Sequence, residues 1–180
     1  MKPSFVATAL AVGCLGGGAQ AASMPPIEAK VIAEAEAAMN TYQAAPNDMA
    51  KGAVRLQRGH TLCKMLVPIR GIARDWLGTV EKLSSTSEGY GVLYVALAKN
   101  VHVETWNNSL SDIETHTLIK PDTPIYNQAV KLSVGSPVVF SGNFFPSKSD
   151  CMQETSMTQE GSMTDPEFLF HFTAIAPAAK

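Results

Sequence analysis

The sequence is short of several things, and each shortage removes a class of function. It holds three cysteines and no CxxC pair, which excludes thioredoxin-type disulfide exchange. Its four histidines, His60, His102, His116 and His171, are scattered with no HxH or HxxxH spacing, so no zinc-ligand pattern is present. Neither a GxSxG elbow nor an SxxK motif occurs, which leaves no standard serine nucleophile. Charged residues make up only 17% of the chain, below the ~25% usual in soluble domains. Positive charge is not in excess: 14 Lys and Arg face 16 Asp and Glu, for a formal charge of −2. Phosphate binding needs a clustered basic groove, so the composition argues against nucleic acid. Past the N-terminus no stretch approaches the roughly 18 apolar residues of a membrane-crossing helix. There are no internal repeats, and nothing implies a cofactor.

What is present begins with an export signal over residues 1–21. Lys2 supplies a positive start, Phe5 to Leu15 an apolar run, and Gly16 to Gly18 a helix break. Ala19-Gln20-Ala21 then offers the small-x-small pattern that a signal peptidase reads. The expectation is a periplasmic or secreted protein starting at Ala22. A rival reading takes Ala11-Val12-Gly13-Cys14 as a lipobox, which would anchor a lipoprotein at Cys14. Losing residues 1–21 removes Lys2 and no acid, leaving 13 basic and 16 acidic residues and a charge of −3. Cys63 and Cys151 remain as an even pair, and in an oxidising compartment two such thiols normally join. The alternative is two buried free thiols. The 180-residue chain suits one ordinary domain.

Periodicity then divides that domain. Residues 24–45 read as a helix, with Ile27, Val31, Ala35, Ala38 and Tyr42 on one stripe, Glu28, Glu34 and Glu36 off it, and Pro25-Pro26 at its start. A second helix begins near Asn47 or Asp48 and closes at Pro68. Its spacing predicts an inward stripe of Met49, Ala53, Leu56, His60, Cys63 and Val67, with Lys51, Arg55 and Arg58 on a solvated flank. From Arg74 the period becomes two. Strands are predicted over Asp75–Leu83, Gly89–Ala98 and Val101–Trp106, the third extended by Thr115–Ile119. A short helix over Pro121–Leu132, strands over Pro137–Phe145 and Glu167–Ile175, and a long polar loop over Pro146–Pro166 complete the chain.

Three strands, a helix and two strands is the order of an OB-fold, a small five-stranded barrel. The segments Trp76-Leu77-Gly78-Thr79-Val80 and Val134-Gly135-Ser136-Pro137-Val138-Val139-Phe140-Ser141-Gly142 carry the likeness. The chain resembles exported bacterial proteins of unknown function with a tRNA-anticodon-binding-like OB domain. The resemblance implies an α+β, mainly β fold: a five-stranded OB-type barrel (β-β-β-α-β-β) behind an N-terminal two-helix extension. The expected division is signal peptide 1–21, helical extension 22–73 and barrel 74–180. Fold alone names no function. A Cys63–Cys151 bridge would clamp the extension to the loop that an OB barrel often uses for ligands.

Strand alternation supplies the candidate site. Leu93, Val95, Leu97, Val101, Val103 and Thr105 should face inward, so Tyr90, Tyr94, His102, Glu104 and Trp106 should face outward. That outer face is the usual OB binding surface, unless the helical extension covers it. Exposed Tyr and Trp there would stack on bases or sugars, or anchor a protein partner.

Other constellations are weaker. Met152, Met157 and Met163 lie near Asp150 and Glu154, but their spacing fits gap-filling better than Cu(I) binding. Asp112, Glu114 and His116 alternate, and share one side if the segment is extended, a geometry open to acid–base work. Three functions follow in order: a non-catalytic envelope binding or interaction module; an assembly subunit docking through its N-terminal helices; a hydrolase with a non-standard site. No residue is assigned a catalytic or metal-binding role.

Overall fold

The computed structural model describes residues 23–147 and 151–179. The signal segment, Cys14 and Asp150 lie outside the described residues.

Helix α1 spans Pro26–Ala44. Pro25-Pro26 open it, where a missing N–H costs nothing, and Ala45, held extended before Pro46, ends it. The buried stripe is Val31, Ala35, Ala38 and Tyr42, as the spacing predicts, joined by Ile32 and Met39. Helix α2 spans Asp48–Leu66, and the Asn47 side chain caps it by accepting from Ala50 N at 3.0 Å.

The inward face of α2 is not the expected one. Arg58, Gly59, Leu62 and Leu66 are buried, while Met49, Leu56 and Val67 are 89, 60 and 64% exposed and Ala53 and His60 are open to solvent. The reason is chemical. Arg58 finds a carboxylate and a carbonyl inside the molecule, so the charged flank turns inward and the apolar stripe turns outward. Cys63 lies at the boundary, half-buried.

Five strands follow: β1 Ile72–Ser85, β2 Gly91–Ala98, β3 Val101–Glu104, β4 Pro137–Phe144 and β5 Glu167–Pro177. They close into a barrel in the order β1-β2-β3-β5-β4, with β4 returning to β1. The β3–β5 pair is parallel and the other four are antiparallel. This is the arrangement of an OB-type barrel behind a two-helix extension. Strand β1 is long enough to pair on both sides because it coils. Asp75 sits at φ 54°, and the register slips between Ala73 and Trp76 on one side and between Val80 and Lys82 on the other. Gly78 lies in the coil; a Cβ there would meet Val95 Cγ1 at 2.4 Å and the Ala96 carbonyl at 2.8 Å.

The barrel interior is filled by Leu93, Val95, Val101 and Val103 with a cluster of aromatic rings. Trp76 meets Phe144 at 5.3 Å, and Phe170 meets Phe172 and Phe144 at 4.9 Å, in tilted and edge-on arrangements that rings prefer.

Two connections differ from expectation. β3 stops at Glu104, because Thr105 turns its hydroxyl to accept from Leu93 N at 3.2 Å. Residues 105–123 then run through turns, and Thr115–Ile119 ends in one bridge, Gly91 to Ile119, where a strand extension was expected. Helix α3 is shorter than expected, Pro124–Ala129, capped by Thr123. Within the expected polar loop lies helix α4, Gln159–Thr164, capped by Thr158. Cys63 and Cys151 are joined, with Cα atoms 5.2 Å apart and a sequence separation of 88. The bridge ties α2 to the strap that runs from Cys151 over β3 to β5.

Candidate functional site

The outer face of β2 and β3 is divided between a covered and an open part. Glu104 pairs across the strands with Tyr94, and His102 pairs with Ala96, so all of these lie where alternation places them. His102 and Glu104 are nevertheless buried, at 7 and 2% exposure, with Asp165, just after α4, against His102 and Thr155 of the strap against Glu104. His102 Nε2 is 2.9 Å from Glu81 Oε2 and its Nδ1 is 3.3 Å from Asp165 Oδ1. Thr155 Oγ1 lies 2.6 Å from Glu104 Oε1 and 3.2 Å from Glu167 Oε2, so one hydroxyl serves two carboxylates. Glu104 Oε2 is buried without a hydrogen-bond partner. Burial pushes the Glu104 carboxyl up to about 7; the Thr155 hydrogen bond and Lys82 pull it down, while Glu167 and Asp165 raise it further. Burial, with Glu104 and Glu167 nearby, pushes Tyr94 up to about 12. Lys82 Nζ sits 4.7 Å over the Tyr94 ring. Tyr94 on β2, and Tyr90 and Trp106 just outside the two strands, stay half-buried.

Tyr90 also borders a cleft of about 380 Å3 between the β1–β2 turn and the β3–α3 connection. Tyr90, Ile113 and Leu118 form its apolar wall; Asp112, His116 and Lys120 form its polar side. Asp112 organises this connection. Its Oδ1 accepts from Thr115 Oγ1 at 3.1 Å, Thr117 N at 2.5 Å and Thr117 Oγ1 at 2.7 Å, and its Oδ2 accepts from Leu118 N at 3.0 Å. A short acidic side chain that captures nearby amides this way holds a turn instead of a strand. Asp112, Glu114 and His116 therefore do not form one side of an extended segment. Asp112 points into the knot, His116 adopts φ 51°, and Glu114 is exposed outside the cleft lining. The signal available in the sequence was Leu110 and Ile113, two apolar residues in a polar run, which end 80 and 62% exposed.

The remaining candidates disperse. Met152 and Met163 are buried in two separate apolar clusters and Met157 is exposed, so the three thioethers do not converge. Among the described residues, no three His, Cys, Asp or Glu side chains gather as a metal site. Arg58 is 1% exposed; it donates to the Ser162 carbonyl at 2.6 Å and the Ser162 hydroxyl at 3.1 Å, and it is ion-paired with Glu154. Arg55 donates to the same hydroxyl at 3.1 Å. These arginines fasten α2 to the strap. His60 is exposed, not a core residue.

One buried group, Glu28, overturns the expectation that it lies off the apolar stripe. Glu28 on α1 is fully buried, and both its oxygens lie 3.0 Å from Leu77 N. Burial pushes it up to about 7, against the pull of that hydrogen bond. Its spacing of four to Ile32 and seven to Ala35 places it on the buried stripe. No protein-family model, curated protein or solved structure matches this chain.

Proposed function

We propose that this chain is a non-catalytic binding module of the bacterial envelope, exported by residues 1–21 and built on the OB-type barrel. The observation that carries the reading is the cleft beside Tyr90. It opens at the end of the β2–β3 face, against the β1–β2 connection, which is where OB barrels take ligands. Its volume falls in the roughly 300–1,000 Å3 range of small-molecule sites. The bridge between two lone cysteines supports an oxidising compartment, periplasmic or extracellular, with anchoring at Cys14 as the alternative.

The test is a chemical-shift screen of the oxidised chain against a library of small molecules. Hits that shift Tyr90, Trp106 and residues 107–120 are expected. Hits confined to the α3–β5 side would overturn the assignment. So would turnover of an ester, phosphodiester or glycoside that a substitution at Asp112, Glu114 or His116 abolishes.

A second reading, an assembly subunit that docks through its N-terminal helices, is favoured by exposed Met49 and Leu56 on α2 and Val67 just after it. The alanine stripe of α1 is not available for this, since it packs inside the molecule. Crosslinking in intact cells separates the two. A dominant adduct that M49E/L56E removes would favour assembly, and a monomeric profile would favour the binding module.

A further inference from the structure

We propose that the cleft beside Tyr90 takes a small amphiphilic carboxylate, with its apolar body on Tyr90, Ile113 and Leu118 and its carboxylate against Lys120 and His116. The inference rests on the binding reading above and names the ligand class.

The cleft is built before any ligand arrives. Gly91 N donates to the Ile119 carbonyl at 2.7 Å and Ile119 N donates back at 2.9 Å. This antiparallel bridge sets Tyr90, one residue before Gly91, opposite Lys120, one residue after Ile119. The approach is close: a Cβ at Gly91 would stand 3.2 Å from Ile119 Cβ, so a larger residue would need the neighbour to give by a few tenths of an ångström. At the other end, Trp106 N donates to Thr117 Oγ1 at 2.9 Å, and the Asp112 knot holds residues 115–118. A wall held this way orders little on binding, which favours affinity for a small ligand.

The charge of the cleft sets the ligand's sign. Lys120 and His116 are exposed on its polar side, and neither makes an ion pair among the described residues. Asp112 is the sole acid in the lining, and four donors occupy its two oxygens. Ser109, also on the wall, gives its proton to Glu88 Oε2 at 3.2 Å, outside the lining. Lys120 is thus the one charge in the lining left without an opposite partner among the described residues, with the His116 ring and the Tyr90 hydroxyl as further hydrogen-bonding groups. The apolar side is unspent as well, since Ile113 is 62% exposed with no neighbour covering it. One anionic head on a short apolar body satisfies both halves.

The test uses the oxidised chain and three probes of one length: octanoate, octanol and octylamine, titrated by amide chemical shifts. Octanoate should bind at the cleft about tenfold tighter than octylamine, with octanol between them. Ile113→Asp, on an exposed side chain, should weaken octanoate about tenfold, and Lys120→Glu about fivefold. If octanol or octylamine binds the cleft as tightly as octanoate, the carboxylate is wrong and the binding site stands. If no probe shifts Tyr90 or residues 109–120, this inference and the assignment of the cleft as the binding site both fall.

Discussion

Glu28 and Glu104 are carboxyls whose burial outweighs the hydrogen bonds they accept. Both are raised from an ordinary value of 4.5 to about 7. The folded state therefore holds their protons more tightly than the unfolded chain does. The sign follows from linkage: their contribution is most favourable below 4.5 and is lost as pH rises through about 7. Substituting Glu28→Gln keeps an acceptor for Leu77 N and removes the titration. Its stability should match the parent near pH 4.5 and exceed it at pH 8 by on the order of 3 kcal/mol. Urea unfolding at the two pH values measures this, and an unchanged pH slope in the variant would refute it. Glu28 also shows how a residue misleads in sequence. Acidic side chains are almost never fully buried without a partner, and its partner is a backbone amide freed by the coil of β1, which no sequence pattern displays.

At the scale of elements, the strands were legible and the helix faces only partly so. Period two located β2, β4 and β5, because their inward residues are uniformly apolar. For α1 the apolar stripe was the buried one. For α2 it was not, since the helix is oriented by Arg58, Arg55 and the Cys63 bridge more than by area removed from water. Those partners, Glu154, Ser162 and Cys151, lie some ninety residues or more away, beyond the reach of local spacing. Helix α4 was missed because six residues with one buried methionine carry no periodicity. The site was legible in part. Alternation placed Tyr90, Tyr94, His102, Glu104 and Trp106 on the outer face, but the cover over His102 and Glu104 comes from the strap.

The α2–strap junction should therefore be the sensitive joint. Arg58→Ala leaves Glu154 buried beside an emptied site and should cost about 3 kcal/mol or more in urea unfolding. Replacing both partners by apolar residues, R58M/E154L, should recover most of that loss. A cost below about 1 kcal/mol for R58A would mean that the disulfide alone fastens the strap.

The whole molecule is a barrel whose β2–β3 outer face is half closed by a strap, and one covalent bond joins that strap to α2. Closing a loop of 88 residues stabilises the fold by about 4–5 kcal/mol on chain-entropy grounds. That contribution exists only where the bond forms, and in the function proposed above it is export to an oxidising compartment that lets it form. Intact-mass spectrometry of protein produced in a Gram-negative host, with thiol alkylation before and after reduction, tests this directly. The expected result is a chain starting at Ala22 that takes no label until reduced and two labels afterwards. An uncleaved chain that labels at Cys63 and Cys151 without reduction would contradict it.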